Sequence, residues 1–220
     1  MMYILFGVAM VIYNFFRAKK KAERIICKKP NDFWNVIAPP GTGKTCLAAS
    51  IVRKAKKEGK KVYSNVPIRG AIQIDVKKDL GVYRIEHAKL IIDEAGSDLS
   101  NRNWQKNLTS EAIDWIKKHR HYDVDIYTFS QAPGDMDNKF RDLVTRMFLL
   151  EKCGPFRVKA LALQKVMKLE GGQIVEYLEE FKEETFKFFT PPTWAWFNSW
   201  YKEDYFKEMD EKIYTILDVK

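Results

Sequence analysis

The chain has 220 residues, of which 46% are hydrophobic and 30% are charged. That length suits one α/β domain with additions and excludes two full-sized domains. The apolar fraction is sufficient for a packed core, which excludes a disordered or fibrous protein. The formal net charge is +9, and its distribution along the chain is uneven.

Most of the positive charge lies in two short runs. Residues 1–30 carry seven Lys and Arg against Glu23, and residues 51–62 carry six against Glu58, which leaves −2 for the rest of the chain. Charge concentrated in this way indicates a local contact with lipid or nucleic-acid phosphate rather than a surface that is basic throughout. The three cysteines are widely spaced and form no CxxC pair, which argues against a disulfide scaffold or a zinc site and fits a reducing cytoplasm.

The N-terminal segment has the pattern of a membrane anchor. Residues 1–16 contain no charge and one strongly polar side chain, Asn14, and a basic cluster follows at 17–24. Positive charge after the apolar run distinguishes an uncleaved anchor from a secretory signal and predicts that the rest of the chain is cytoplasmic. The run is shorter than a usual span, so a buried or interfacial helix is the alternative. We expect residues 1–17 to form a transmembrane helix and 18–32 a basic juxtamembrane linker.

From residue 33 the chain alternates between strand-like and helical segments. Nearly continuous apolar runs are typical of strands that are buried on both faces of a sheet. The alternation predicts an α/β fold over residues 33–153, with a mainly parallel sheet flanked by helices. The predicted strands are 33–38, 61–66, 71–76, 88–93, 125–130 and 146–151, and the predicted helices are 45–58, 110–121 and 138–144.

Residues 154–220 form a C-terminal extension of different character. Segments 156–170 and 173–181 flank the pair Gly171–Gly172, which predicts a small β-hairpin. Three of the six tryptophans follow, at positions 194, 196 and 200. This aromatic cluster fits packing within the domain, binding of a partner protein or a belt of aromatic residues at a membrane interface. Of these, we favour packing. A mixed-charge helix is expected over 202–220.

A phosphate-binding loop is predicted between the first strand and the first helix of this region. The segment APPGTGKT, residues 38–45, matches the Walker A pattern G-x-x-x-x-G-K-[ST] apart from Ala38 at the first position. Two glycines let successive backbone N–H groups point at one anion. The lysine suits the β- and γ-phosphates of ATP, and the threonine hydroxyl suits Mg²⁺. The predicted nucleotide-binding residues are Pro40, Gly41, Thr42, Gly43, Lys44, Thr45 and Cys46.

Two acidic residues end the apolar run at 88–93. Asp93 and Glu94 come where a buried parallel strand reaches the edge at which ligands bind. Asp93 is suited to hold Mg²⁺ together with Thr45, and Glu94 to act as the general base for water. An apolar run ending in Asp-Glu is common by itself, but with the phosphate loop it indicates nucleoside triphosphate hydrolysis rather than a kinase.

Two further candidates complete the predicted catalytic set. Gln131 follows the strand at 125–130 and suits a sensor of the γ-phosphate, although a solvent-facing loop glutamine fits the spacing equally well. A trans arginine finger, which stabilises transition-state charge across a subunit interface, is expected among Arg120, Arg141 and Arg146, with Arg141 assigned to the site.

The order of these motifs resembles the zonular occludens toxin family, which includes the gene I assembly proteins of filamentous phages and is related to FtsK/HerA-like P-loop motors. The resemblance covers residues 33–201. Its most discriminating parts are the Ser-Asn pair after the second strand and the HRH…D…SQ block, since generic ATPases lack both. The matching segments are APPGTGKT at 38–45, KKVYSNVPI at 60–68, KLIIDEAG at 89–96, KKHRHYDVDIYTFSQAP at 117–133, DNKFRDLV at 137–144 and FNSWY at 197–201.

This resemblance implies a membrane-anchored ATPase motor that powers assembly and extrusion of filamentous phage virions. Its implied ligands are ATP and Mg²⁺, and its implied partners are a homo-oligomeric ring, coat proteins, single-stranded DNA, membrane lipid and an exit-channel or assembly protein. The implied location is the host cytoplasmic membrane, with a single N-terminal pass. Family members carry their span after the ATPase domain, whereas here the candidate span comes first, which weakens the expectation of an outer-membrane channel.

A DNA translocase or packaging ATPase of the FtsK/HerA type is the alternative function. It uses the same nucleotide chemistry, and the basic run at 53–61 suits a DNA path if it faces one. Binding through DNA phosphates predicts a steep dependence on salt.

Overall fold

The computed structural model describes residues 2–26, 31–93, 109–132, 134–136, 138–171 and 173–197. The helices are α1 (Met2–Ile26), α2 (Lys44–Lys57), α3 (Val76–Asp79), α4 (Ser110–Lys117) and α5 (Asn138–Arg141), and two 3₁₀ helices span His119–Tyr122 and Pro191–Trp196. The strands are β1 (Phe33–Ile37), β2 (Lys61–Ser64), β3 (Ile72–Gln73), β4 (Ala88–Ile92), β5 (Val124–Ser130), β6 (Arg146–Lys152), β7 (Arg157–Glu170), β8 (Gln173–Glu180) and β9 (Phe186–Phe189).

These strands form one mixed sheet. Its order is β3-β2-β4-β5-β1-β6-β7-β8, with β9 also paired to β7. The neighbours from β3 to β6 pair in parallel, whereas β7 pairs antiparallel with β6, β8 and β9. Every residue of β1, β4 and β5 is buried, as expected for parallel strands covered on both faces. The predicted mainly parallel sheet with flanking helices is confirmed.

Each face of the sheet carries its own hydrophobic core. Successive residues of a strand point to opposite faces, so Phe33 joins the cluster that contains Trp115 of α4. Trp34 joins the cluster that contains Leu47 and Ile51 of α2. Strand β1 is thus fixed from both sides, and the chain leaves it at a defined place to begin the candidate phosphate loop.

Helix α1 contradicts the predicted membrane anchor. Within the described ranges, no helix combines the length and the apolar character that a membrane crossing needs. The predicted single N-terminal pass, and the membrane localisation that depended on it, are therefore wrong. The apolar part of α1 ends before its basic cluster, and beyond it Ala22 and Ile25 are buried in a core cluster of the domain. The ring centroid of Phe15 also lies 4.6 Å from that of Phe189 in β9.

Most predicted elements are present in the described residues, and the clearest differences are at 71–76 and 186–189. The strand expected at 71–76 is limited to β3, because the side chain of Asp75 accepts a hydrogen bond from the backbone N–H of Lys77 at 3.0 Å and caps α3. The predicted hairpin is confirmed as β7 and β8, and Gly171 takes a left-handed φ of 56° at its turn. Strand β9 was not predicted, and the helix expected at 202–220 lies outside the described residues.

Candidate functional site

The loop between β1 and α2 has the backbone shape of a phosphate cradle. Gly41 and Gly43 have φ angles of 72° and 109°, which side-chain-bearing residues adopt with strain. The Thr42 hydroxyl and backbone N–H both donate to the carbonyl of Pro39, at 2.6 and 3.3 Å. At Gly43 an added Cβ would lie 3.1 Å from the Cγ2 of Val158 in β7. Glycine at this position therefore fits both the curvature of the loop and its close contact with β7.

Helix α2 begins at this loop with no side-chain cap. Gly43 is its N-cap residue and has no side chain to accept hydrogen bonds from the first N–H groups of the helix, so these groups and the positive end of the helix dipole face the loop. Lys44 and Thr45 are half-buried at the start of the helix, and Cys46 is buried. These groups fit a bound polyphosphate, which accepts hydrogen bonds and carries negative charge.

The Asn65 side chain fixes the position of Asp93. Its Oδ1 accepts a hydrogen bond from the backbone N–H of Asp93 at 2.8 Å, and its Nδ2 donates to the Asp93 carbonyl at 2.9 Å. Asn65 directly follows β2, which pairs with β4 in parallel, so both residues lie at the same edge of the sheet. The Ser-Asn pair was recognised as a distinguishing motif, but the contact depends on the register of two strands. Glu94 lies outside the described residues.

Gln131 lies at the same carboxyl edge, beside the phosphate loop. Strand β5 pairs with β1, and the backbone N–H of Ala38 donates to the carbonyl of Ser130 at 3.0 Å. The carboxylate of Asp135 accepts from the backbone N–H groups of Gln131 and Ala132, at 2.9 and 2.7 Å. These bonds hold the turn in place, while the Gln131 residue remains exposed. The order β4-β5-β1 therefore brings Asp93, Gln131 and the loop to one edge.

The three candidate arginines lie in different surroundings. Arg120 is exposed. Arg141 is half-buried, and its Nη2 donates to a backbone carbonyl of the preceding turn at 3.3 Å. Arg146 is 6% exposed and makes ion pairs of 3.3 Å with Asp32 and 3.5 Å with Glu184. The structure thus makes Arg146 a buried structural cation.

The segment Pro191–Trp196 forms a wall of the site that the sequence did not predict. Trp194 and Phe197 line an open cavity of about 350 Å³ together with Gly41 and the residues from Gly43 to Cys46. Burial raises the pKa of the Cys46 thiol, and hydrogen bonding from the side chains of Thr193 and Trp194 opposes that rise. Of the tryptophan cluster that was expected to pack, Trp196 packs against a core cluster, whereas Trp194 is exposed at the wall of this cavity.

The two basic runs of the sequence meet on one surface. Helix α1 contributes the first run and the C-terminal half of α2 the second, and both lie beside β9. We call this the basic surface. It comprises Arg17, Lys19, Lys20, Lys21, Arg24, Arg53, Lys54, Lys57, Lys182 and Lys187.

A family model described as zonular occludens toxin (Zot) matches residues 69–160. The resemblance to the Zot family that the sequence indicated is confirmed over this range. The matched range includes Asp93, Gln131 and Arg141, and it begins after the phosphate loop. A search of curated proteins found no match.

The fold agrees with this family. The N-terminal domain of zonular occludens toxin from Neisseria meningitidis is 16% identical, with a TM-score of 0.54, over 77% of this chain and 100% of that one. At this identity the likeness concerns the fold alone. The DNA-packaging ATPase B204 from Sulfolobus Turreted Icosahedral Virus is 15% identical, with a TM-score of 0.44, over 57% of this chain and 78% of that one.

Proposed function

We propose that this protein is an ATP-hydrolysing motor that powers the assembly and extrusion of filamentous phage virions. The observation that carries the proposal is the glycine-rich loop between β1 and α2, which shares an edge of the sheet with Asp93. The match of residues 69–160 to the Zot family supports the phage role.

Nucleotide binding would use the backbone of the loop and the side chains of Lys44, Thr45 and Asp93. The N–H groups from Gly41 to Cys46 bind the phosphates, and the Lys44 ammonium contacts the β- and γ-phosphates. The Thr45 hydroxyl and the Asp93 carboxylate are the residues that would hold Mg²⁺. When bound there, Mg²⁺ neutralises charge on the phosphate oxygens.

Hydrolysis would require a base, a sensor and a cation from a neighbouring subunit. Glu94 accepts a proton from the attacking water as the general base. Gln131 contacts the γ-phosphate region from the end of β5. Arg141 of one subunit stabilises the transition-state charge in the next, which requires a homo-oligomeric ring. In the proposed machine the ring acts on coat protein and single-stranded DNA, with an exit-channel or assembly protein as a further partner.

Replacing Asn65 by alanine should lower kcat for ATP hydrolysis roughly tenfold, since two hydrogen bonds that fix Asp93 are lost. The KM for ATP should change less, because Asn65 is outside the loop that binds the phosphates. Steady-state phosphate release at varied ATP concentration measures both constants.

Gln73→Ala, on the exposed neighbouring strand β3, is the control for Asn65→Ala and should retain the wild-type kcat. An Asn65→Ala enzyme with wild-type kcat would show that this contact does not position the catalytic edge.

Virion release from the source host tests the motor function. Cells carry either the wild-type gene or Lys44→Ala, and extracellular encapsidated DNA is quantified together with intracellular single-stranded DNA. We expect release to stop while intracellular single-stranded DNA accumulates. A fall in intracellular DNA would instead indicate a role in replication or DNA movement and would contradict the extrusion role.

The basic surface favours a second candidate function, DNA translocation or packaging. Ten basic residues from α1, α2 and the β8–β9 region surround two adjoining cavities of about 740 and 190 Å³. Such a surface attracts the phosphate backbone of nucleic acid without reading its sequence. The contact would suit either DNA translocation or the handling of DNA during virion extrusion.

Binding of a single-stranded oligonucleotide at several salt concentrations tests this contact. Removing two phosphate contacts by Lys19→Ala with Lys57→Ala should reduce the slope of log K against log salt by roughly 1.4. The control pair is Lys117→Ala with Lys118→Ala, which are exposed residues away from the basic surface. Equal slopes for the two double variants would exclude the basic surface as the DNA contact.

A further inference from the structure

Trp194 is exposed beside the phosphate loop. It is 52% exposed, and it is the most accessible of the four tryptophans that the structure describes. Trp194 lines the 350 Å³ cavity together with Phe197, Gly41 and the loop residues from Gly43 to Cys46. A large aromatic surface is therefore accessible at a place continuous with the candidate phosphate site.

The segment that carries Trp194 is held in place by both of its neighbouring elements. The guanidinium of Arg53 in α2 donates to the carbonyl of Pro192 at 2.9 Å. The backbone N–H of Arg69 donates to the carbonyl of Trp196 at 2.7 Å. The position of the segment on both sides of Trp194 is thus set by α2, which begins at the loop, and by the chain after β2.

Neighbouring side chains fix the 3₁₀ helix more locally. Thr193 is 1% exposed, and its hydroxyl donates to the carbonyl of Thr190 at 2.7 Å. The ring centroid of Phe156 lies 5.8 Å from that of Trp194. Because these contacts hold the segment in place, the aromatic surface is preorganised and would lose little freedom when it binds a ligand.

We propose that Trp194 is the platform on which the base of the bound nucleoside triphosphate stacks. The inference rests on the proposed function, because it requires the triphosphate to occupy the loop. A phosphate loop binds only the polyphosphate, and the base extends beyond it to the surrounding wall. In the described part of that wall, the aromatic side chains are those of Trp194 and Phe197. Stacking uses the flat face that every base has, so the site selects a nucleotide over inorganic polyphosphate without strong selection among bases.

Comparison of ATP with inorganic tripolyphosphate, both with Mg²⁺, isolates the contribution of the base. Calorimetric titration gives the affinity of each ligand for the wild-type chain, Trp194→Ala and Trp194→Phe. Tyr83→Ala, an aromatic residue that is 65% exposed in another loop, is the matched control. Thermal unfolding of each variant checks that it is folded.

The platform predicts that Trp194→Ala weakens ATP binding about fivefold or more and leaves tripolyphosphate binding unchanged. Trp194→Phe, which keeps a stacking ring, should stay close to wild type, as should Tyr83→Ala. Unchanged ATP affinity in Trp194→Ala, or an equal loss for both ligands, would overturn the platform.

The Lys44→Ala variant separates failure of the platform from failure of the proposed function. It should weaken both ligands, because it removes a contact to phosphate that both share. If Lys44→Ala binds ATP and tripolyphosphate like the wild type, the loop is not the phosphate site. That outcome overturns the proposed function and, with it, the platform. If only the Trp194→Ala result fails, the loop remains the phosphate site.

Discussion

Replacing Lys44 by alanine should reduce ATP hydrolysis roughly 100-fold or more, as removal of one preorganised charge-stabilising group commonly does. The ammonium would contact the terminal phosphates, on which charge changes during cleavage. Lys44 is half-buried at the first position of α2 and lies outside both core clusters, so the substitution should leave the fold intact. Phosphate release under saturating Mg·ATP measures the loss.

The matched control is Lys56→Ala, which removes an exposed lysine from the last turn of the same helix. It should retain the wild-type rate, and both variants should unfold at about the wild-type temperature. Hydrolysis by Lys44→Ala at the wild-type rate would refute the assignment of this loop to catalysis.

Replacing Arg146 by alanine should lower the free energy of unfolding by about 3–5 kcal/mol, as breaking a buried ion pair by removing one partner typically does. Arg146 is 6% exposed, and its guanidinium pairs with Asp32 and Glu184 and donates from Nη1 to the carbonyl of Ile25 at 2.9 Å. Its removal leaves the buried carboxylate of Asp32 and the half-buried carboxylate of Glu184 without this cation. Urea unfolding followed by circular dichroism measures the change.

Arg120→Ala is the control, because this arginine is exposed and its loss should change stability by no more than about 0.5 kcal/mol. Equal stability of the two variants would mean that the ion pairs of Arg146 contribute little to the free energy of unfolding. The comparison also separates two arginines that the sequence presented as equivalent candidates for catalysis.

Local patterns were sufficient to predict the central part of the fold. The mainly apolar runs at 33–37 and 88–92 are strands in which every residue is buried, as is typical of strands covered on both faces of a sheet. The loop at 38–45 was predicted from its glycines, which take the left-handed φ angles that the motif requires. The Gly171–Gly172 pair likewise predicted the turn between β7 and β8.

The N-terminal prediction failed because the apolar run is shorter than a membrane crossing needs and the same helix continues into the basic cluster. Residues 1–16 alone resemble an anchor, but α1 continues to Ile26 and buries Ala22 and Ile25 in a core cluster. Its packing partner is β9, a strand with only four residues that the sequence did not reveal. Alternation of buried Phe186 and Phe188 with exposed Lys187 was the available signal.

Features of the site that depend on distant residues were also beyond prediction. The double hydrogen bond from Asn65 to Asp93 exists because β2 and β4 pair in parallel and end at the same edge. Trp194 reaches the loop only because β7 and β9 bring the following 3₁₀ helix beside α2. No local pattern specifies such contacts, since they depend on sheet order and register.

A crystal structure of the chain with Mg²⁺ and a nonhydrolysable ATP analogue tests the central claim most directly. The account predicts that the triphosphate lies against the backbone of residues 41–46, with Lys44 at its terminal phosphates. It also predicts that Mg²⁺ is bound by the Thr45 hydroxyl and, directly or through water, by Asp93. A triphosphate bound elsewhere, or a metal ion that contacts neither Thr45 nor Asp93, would contradict the account.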